Sequence, residues 1–113
     1  MTKRIKEYDQ EELSAQLQAE SAVLIQFGTD WCAPCKRQER VMLGLADTWR
    51  DRLSIGKVNV EDWPQIAEEH QVRKNPTLCL FLSGRLTHRH EGLLDAENLA
   101  RFLEDALSAA VQD

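Results

Sequence analysis

The sequence predicts an α/β fold in which helices cover both faces of a central mixed β-sheet. Residues 22–27 are almost continuously apolar, which is typical of a strand buried on both faces. Apolar residues recur at helical spacing over 41–49 and again over 99–110. A turn signal separates the apolar run 77–82 from a following edge strand. We therefore expect parallel crossovers first and an antiparallel hairpin at the end of the sheet.

The N-terminal half of the chain is predicted to contain two strands and two helices. Residues 5–8 are a candidate edge strand, and Asp9 with Glu12 matches a capping box before the first helix. Pro34 stands in the first turn of the second helix, where its missing N–H would have no intrahelical partner. The apolar stripe of this second helix consists of Val41, Met42, Leu45, Ala46 and Trp49.

The C-terminal half is predicted to add three strands and two helices. Residues 53–60 indicate a strand whose apolar alternation changes phase near Gly56. Pro64 opens a short third helix, and Asp95 caps the last one. The resulting order is β-α-β-α-β-α-β-β-α, and its length leads us to expect a single domain over residues 1–113.

Composition limits the classes of function. A net charge of −5 and a pI of about 5.2 argue against general nucleic-acid binding. No apolar run reaches the length of a membrane span, and no apolar segment follows the basic residues near the start. We therefore expect no membrane partner and a cytoplasmic location. A monomer is expected because no apolar stripe is left over once the core is assigned.

The segment 31–36, Trp-Cys-Ala-Pro-Cys-Lys, is the strongest functional signal. Cys32 and Cys35 stand where a strand leads into a helix, close enough in a first helical turn for a disulfide. Cys32 meets the unpaired N–H groups and positive end of the helix, which favours the reactive thiolate. In a reducing compartment such a pair is catalytic or metal-binding. We expect no metal, because the histidines do not supply two further zinc ligands at a suitable spacing.

From about residue 5 to residue 108 the chain resembles the thioredoxin family. The resemblance is carried by Phe27, the segment 31–36, Lys57-Val58-Asn59-Val60, Asn75-Pro76-Thr77, Gly84 and Gly92. It implies a thioredoxin fold and a dithiol–disulfide oxidoreductase that itself binds no nicotinamide, flavin or metal cofactor. It also implies disulfide-containing proteins as substrates and a thioredoxin-reductase-type or other dithiol electron donor.

The resemblance, together with thiol chemistry, assigns roles to the cysteine pair. The Cys32 thiolate attacks a substrate disulfide and forms a mixed disulfide. Cys35, which lies deeper and is initially protonated, then attacks the Cys32 sulfur and releases the reduced substrate. Trp31 and Pro34 are expected to support the pair, with Trp31 packed beside it and limiting its mobility.

A predicted substrate groove surrounds the pair. In the resembling proteins Pro76 is cis and lies against the disulfide, and the backbone of Asn75 pairs with an extended substrate as an added strand would. Gly92 would let that substrate approach closely. Trp31 and Lys74 complete the predicted substrate-binding set. Lys74 and Asn75 depart from the residues usual in the family, which indicates a narrower or different set of partners.

Gln26 stands where the family usually has a buried aspartate, which is thought to accept a proton through water as the second thiol becomes reactive. Gln cannot titrate, so we expect slower resolution or a proton route through bulk water. The alternative is an ordinary hydrogen-bonded residue of a core strand. Lys57 loses the partner that the aspartate would supply and is expected to reach outward or to be neutral. Gly28 replaces a common tryptophan, which predicts a smaller shield and a more flexible loop, and Cys79 is expected to be a buried inert thiol.

Two functions of different class remain open. The intact cysteine pair favours an enzyme, a cytosolic reductase of protein disulfides. The departures at Gln26, Gly28, Lys74 and Asn75 favour a thioredoxin-fold chaperone or assembly factor that binds a narrow client set with weak or regulatory redox activity. An oxidase or isomerase would differ from the reductase chiefly in redox potential, which the sequence does not determine.

Overall fold

The computed structural model describes residues 5–112 of the chain, with side chains described through residue 108. The strands are β1 (Lys6–Glu7), β2 (Ala22–Gly28), β3 (Ser54–Asn59), β4 (Thr77–Leu82) and β5 (Arg85–Glu91). The helices are α1 (Gln10–Ala19), α2 (Ala33–Trp49), α3 (Pro64–Glu69) and α4 (Ala96–Gln112). The predicted order of elements is confirmed along the described part of the chain.

The strands form one mixed sheet in the order β1-β3-β2-β4-β5. β1 and β2 both pair with β3 in parallel, whereas β4 is antiparallel to both β2 and β5. A parallel pair needs a long crossover, and α2 provides it between β2 and β3. β4 and β5 are joined by the tight turn that the sequence indicates, so the predicted hairpin is confirmed.

Helices cover both faces of this sheet. On one face Met42 of α2 and Leu103 of α4 belong to the same buried cluster as Leu24 of β2. On the other face Ile66 of α3 packs in a second cluster with Ile25 of β2. Every residue of β2 is buried because both of its faces are covered. This central strand therefore carries the chain from the middle of the core to the edge where α2 begins.

Local signals in the sequence explain the start of α1 and the irregularity of β3. The backbone N–H of Glu12 donates to Asp9 Oδ1 at 2.8 Å, and the N–H of Asp9 donates to Glu12 Oε1 at 3.1 Å, so the capping box is confirmed. A Cβ on Gly56 would overlap the Tyr8 ring, which is 5% exposed. Glycine at this position therefore lets a large aromatic pack directly across β3, at the point where the apolar alternation changes phase.

The register of the sheet gathers the candidate site residues at one edge. Phe27 of β2 lies opposite Thr77 of β4. Because these strands are antiparallel, the segment that follows β2 and the segment that precedes β4 meet at the same edge. Among the described residues, no helix is both long enough and apolar enough to cross a membrane.

Candidate active site

Cys32 and Cys35 stand at the start of α2 and are joined by a disulfide, with their Cα atoms 5.2 Å apart. This separation lies within the range that a disulfide requires. Cys32 is the N-cap residue, with an extended backbone, and Cys35 lies in the first turn. Cys32 is 8% exposed and Cys35 is 1% exposed, so Cys35 is the inner residue of the pair.

The start of α2 provides a hydrogen bond aimed at the outer sulfur. The backbone N–H of Cys35 donates to Cys32 Sγ at 3.2 Å. The sulfur thus takes the place of a capping oxygen and lies at the positive end of the helix dipole. After reduction, both interactions stabilise an anionic sulfur more than a protonated one. Pro34 occupies the first turn without an N–H that would need a partner.

The Trp31 side chain is exposed and is held by a hydrogen bond that the sequence did not indicate. Its side chain is 71% exposed, and its Nε1 donates to Glu61 Oε1 at 2.8 Å. Glu61 is itself fixed, because its backbone N–H donates to Asn59 Oδ1 at 2.9 Å. A hydrogen bond to the turn after β3 therefore positions the indole. Sequence reasoning missed the role of Glu61, which lies thirty positions from Trp31 along the chain.

The loops around Pro76 and Gly92 form a second wall at the same edge. The peptide bond between Asn75 and Pro76 is cis, as the resemblance implies. The backbone N–H of Gly92 donates to Pro76 O at 2.8 Å, which joins the two loops. Gly92 has a φ of +95°, a conformation that glycine adopts readily. Lys74 is exposed and Asn75 half-buried, so both remain accessible at this wall.

Gln26 lies beneath the cysteine pair and ties β2 to α2. It is 2% exposed, and its Nε2 donates to Cys35 O at 3.2 Å. Gly28 lies directly against the inner sulfur, because a Cβ on it would come within 2.6 Å of Cys35 Sγ. The tryptophan common at this position in the family would therefore require α2 and β2 to move apart locally.

Lys57 has partners that the sequence did not indicate. Lys57 Nζ lies 2.6 Å from Glu39 Oε1 and 3.9 Å from Glu7 Oε1, so the ammonium group has carboxylate partners from α2 and β1. Glu39 follows Cys35 by four positions, so both lie on the face of α2 that is turned toward the sheet. That spacing could have placed Glu39 on the sheet-facing side of α2, but it could not have identified Lys57 as its partner.

A second residue missed by sequence reasoning is Gln38. It is completely buried, its Nε2 donates to Leu94 O at 3.0 Å, and its Oε1 accepts from the Leu94 N–H at 2.8 Å. One side chain thereby satisfies both backbone groups of a residue in the loop after Gly92. The available signal was a polar residue at the position where the apolar stripe of α2 begins, three before Val41.

Cys79 is a buried thiol in β4, as expected from its place in a core strand. Burial raises the pKa of Cys79 to about 11, although the positive charge of Arg89 acts in the opposite direction. At neutral pH this thiol is therefore almost entirely protonated and unreactive.

Comparison with known proteins relates this geometry to one family. The family model described as Thioredoxin matches residues 4–105. A thioredoxin of Acidithiobacillus ferridurans is 34% identical over 91 residues, which cover 80% of this chain and 84% of that protein. The chloroplastic thioredoxin Y2 of Arabidopsis thaliana is 32% identical over 89 residues, 79% of this chain. The matched part is 53% of that relative, so the chain spans about half of its length.

A solved structure agrees with the fold as well as with the sequence. A mutant thioredoxin from Halobacterium salinarum superposes with a TM-score of 0.81 at 31% identity. The superposition covers 89% of this chain and 88% of that chain.

Proposed function

Because the chain belongs to the thioredoxin family, we propose that it is a protein-disulfide reductase in which Cys32 attacks and Cys35 resolves. Family membership and the redox-active cysteine pair identify a thiol–disulfide oxidoreductase. The observation that carries the finer assignment is the hydrogen bond from the Cys35 N–H to Cys32 Sγ. It supports Cys32 as the sulfur that ionises, because an N–H directed at sulfur favours the thiolate.

The proposed cycle moves two electrons from the dithiol to the substrate. The Cys32 thiolate attacks one sulfur of a substrate disulfide, and the other substrate sulfur leaves as a thiolate. Cys35 then loses its proton and attacks Cys32 Sγ, which closes the Cys32–Cys35 bond and releases the second substrate sulfur. A dithiol donor, of the thioredoxin-reductase type or another kind, reduces the pair again.

Substrates are proposed to bind as an extended segment along the wall formed by Asn75, Pro76 and Gly92. An extended peptide beside exposed backbone can pair with it as an added strand. Trp31 would cover the other side of the segment, since its ring is exposed and fixed in place by Glu61. We also propose that the protein acts in the cytoplasm and as a monomer.

Reduction of insulin disulfides, with dithiothreitol as donor and the protein in catalytic amount, tests the function. We expect Cys32→Ser to abolish the catalysed rate. Reduced Cys35→Ser, mixed with insulin after the dithiothreitol has been removed, should accumulate a mixed disulfide through Cys32. Cys79→Ala is the matched control and should retain activity, because Cys79 is buried in β4. An equal catalysed rate in the protein and in Cys32→Ser would contradict the proposal.

A binding factor that seldom uses its cysteines would not accelerate insulin reduction in this assay. It would bind a disulfide-containing client without reducing it, and Cys32→Ser would leave that binding unchanged. The binding factor stays a prediction from the sequence.

A further inference from the structure

The proposed cycle requires Cys35 to lose a proton at a place that bulk water barely reaches. Cys35 is 1% exposed, and its sulfur lies against Gly28 at the end of β2. Gln26 contacts the Cys35 carbonyl from below, but its amide has no titratable group. Another group must therefore accept the proton.

A small cleft borders Gln26 and Gly28, the two residues that lie against Cys35. Its walls include Gln26, Gly28, Thr29, Glu39 and Lys57. The volume available to the centre of a water molecule is ≈ 10 Å³, close to the size that one water needs. Within the described part of the chain, Gln26 Oε1 and Thr29 Oγ1 are buried and have no hydrogen-bond partner. Two buried polar atoms in such a cleft indicate a binding site for a single water molecule.

Glu39 connects this cleft with the solvent. It lies one helical turn after Cys35 on the same face of α2. Its Oε1 is 2.6 Å from Lys57 Nζ, which fixes the carboxylate at the wall of the cleft. Its side chain is 22% exposed, so a proton received from inside can leave to bulk water.

We propose that the Glu39 carboxylate accepts the Cys35 proton through a water molecule held in this cleft by Gln26. The inference depends on the proposed function, since it concerns the resolving step. The Cys35 S–H bond breaks, its proton passes to the water, and the water gives a proton to Glu39. The Cys35 thiolate attacks Cys32 Sγ, and the substrate sulfur leaves with the electron pair of the broken disulfide bond. Glu39 then releases its proton to solvent.

Two other carboxylates near the cleft are less well placed. Glu7 comes from β1, lies 3.9 Å from Lys57 Nζ and has a side chain that is 45% exposed. Asp30 lines the cleft from the loop after β2 and is exposed. Neither shares an element with Cys35, whereas Glu39 does. The proton acceptor is therefore assigned to the carboxylate on α2.

The charges around Glu39 predict how the resolving step would respond if this residue acted only through its negative charge. Lys57 of β3 faces its carboxylate, and Lys36 and Arg40 line an adjoining cleft on the same helix. Removal of the Glu39 charge would leave these cations unopposed, which favours a nearby thiolate. A purely electrostatic Glu39 therefore slows resolution, and its removal would accelerate the step.

Stopped-flow reaction of the reduced protein with 5,5′-dithiobis(2-nitrobenzoate) separates the two sulfur attacks. Attack by Cys32 releases a first thionitrobenzoate anion, and attack by Cys35 on the resulting mixed disulfide releases a second. This leaving group needs no proton at neutral pH, so the second rate reports on the deprotonation of Cys35. We expect Glu39→Gln to slow the second release by about tenfold or more at pH 7, in keeping with the loss of a positioned proton acceptor.

The control is Glu7→Gln, which removes the other carboxylate close to Lys57 and should leave both releases within about twofold of the original rates. Adding Gln26→Asp to Glu39→Gln returns a carboxylate to the cleft and should restore the second release. The defect of Glu39→Gln should also diminish as the pH rises, because hydroxide replaces the missing acceptor.

An unchanged or faster second release in Glu39→Gln overturns the inference, and so does equal slowing of both releases or equal slowing in Glu7→Gln. All of these results leave the proposed function intact. Failure of the proposed function would appear in the unaltered protein, as the lack of a rapid first release from Cys32.

Discussion

Cys32 and Cys79 carry the same thiol in two regions that treat it in opposite ways. Cys32 caps α2 and accepts the Cys35 N–H, which favours negative charge on its sulfur. Cys79 lies in β4, fully buried, and desolvation raises its pKa to about 11. The comparison shows how much the surroundings of a thiol matter: at Cys32 the start of α2 directs an N–H at the sulfur, whereas at Cys79 the effect of burial exceeds the opposing effect of Arg89.

The two regions also differ in what holds them together. β4 is paired on both sides and packed in apolar clusters, so many weak contacts share its stabilisation. The active-site edge depends on individual side chains, among them Glu61 under Trp31 and Gln38 under Leu94. A single polar substitution should therefore disturb the active-site edge more than a single substitution disturbs β4.

The largest expected effect is a difference in alkylation between the two cysteines. With a pKa of about 11, only about one Cys79 thiol in ten thousand is ionised at pH 7. We expect iodoacetamide to modify Cys32 of the reduced protein at least about a thousandfold faster than Cys79, as measured by peptide mass spectrometry. The comparison would break if both cysteines reacted at similar rates in the folded protein.

A smaller effect is expected when the support of the Gln38 side chain is removed. Gln38→Met keeps an apolar stem of similar length but leaves the N–H and C=O of Leu94 without their partner. We expect a loss of about 1–3 kcal/mol in the free energy of unfolding, measured by denaturant titration of the oxidised protein.

The matched control for this substitution is Gln65→Met. Gln65 Nε2 donates to Gln10 Oε1 at 3.2 Å on the exposed surface, so its loss should change stability by less than about 0.5 kcal/mol. Equal changes in the two variants would show that the buried amide does not hold the Gly92 loop.

The smallest expected effect is a pH dependence of stability contributed by Cys79. Its folded-state pKa is about 11 against an ordinary value of 9.0, so its contribution is complete below pH 9 and is lost as the pH rises toward 11. Between pH 8 and pH 10 the oxidised protein should lose about 1 kcal/mol more stability than Cys79→Ala. The burial that also raises the pKa of Tyr8 affects both proteins equally. Parallel stability curves for the two proteins would refute the raised pKa.

Sequence patterns predicted the features that depend on neighbours along the chain. The capping box at Asp9, the buried strand β2 and the cysteine pair at the start of α2 all follow from local spacing. The cis bond at Pro76 came from the family resemblance and not from the residues alone. These features were accessible because helical and strand periodicity record which face of an element is covered.

Side-chain pairs between distant elements could not be read from the chain. Glu39 meets Lys57 across 18 positions, and Gln38 meets Leu94 across 56 positions. Periodicity gives the face on which each long side chain lies, but which partner it reaches depends on how α2 is seated on the sheet. The sequence did not indicate the partner of Lys57 for this reason, since a carboxylate on another element replaces the missing one at position 26.

The pH dependence of Cys32 alkylation measures directly whether the start of α2 stabilises the Cys32 thiolate. The measurement uses reduced Cys79→Ala protein, in which the pair is intact, beside an unstructured peptide with one cysteine. We expect the alkylation rate of Cys32 to reach half its maximum about one pH unit or more below the midpoint of the peptide. A midpoint at or above that of the peptide would contradict it, because the start of α2 would then do nothing to stabilise the thiolate.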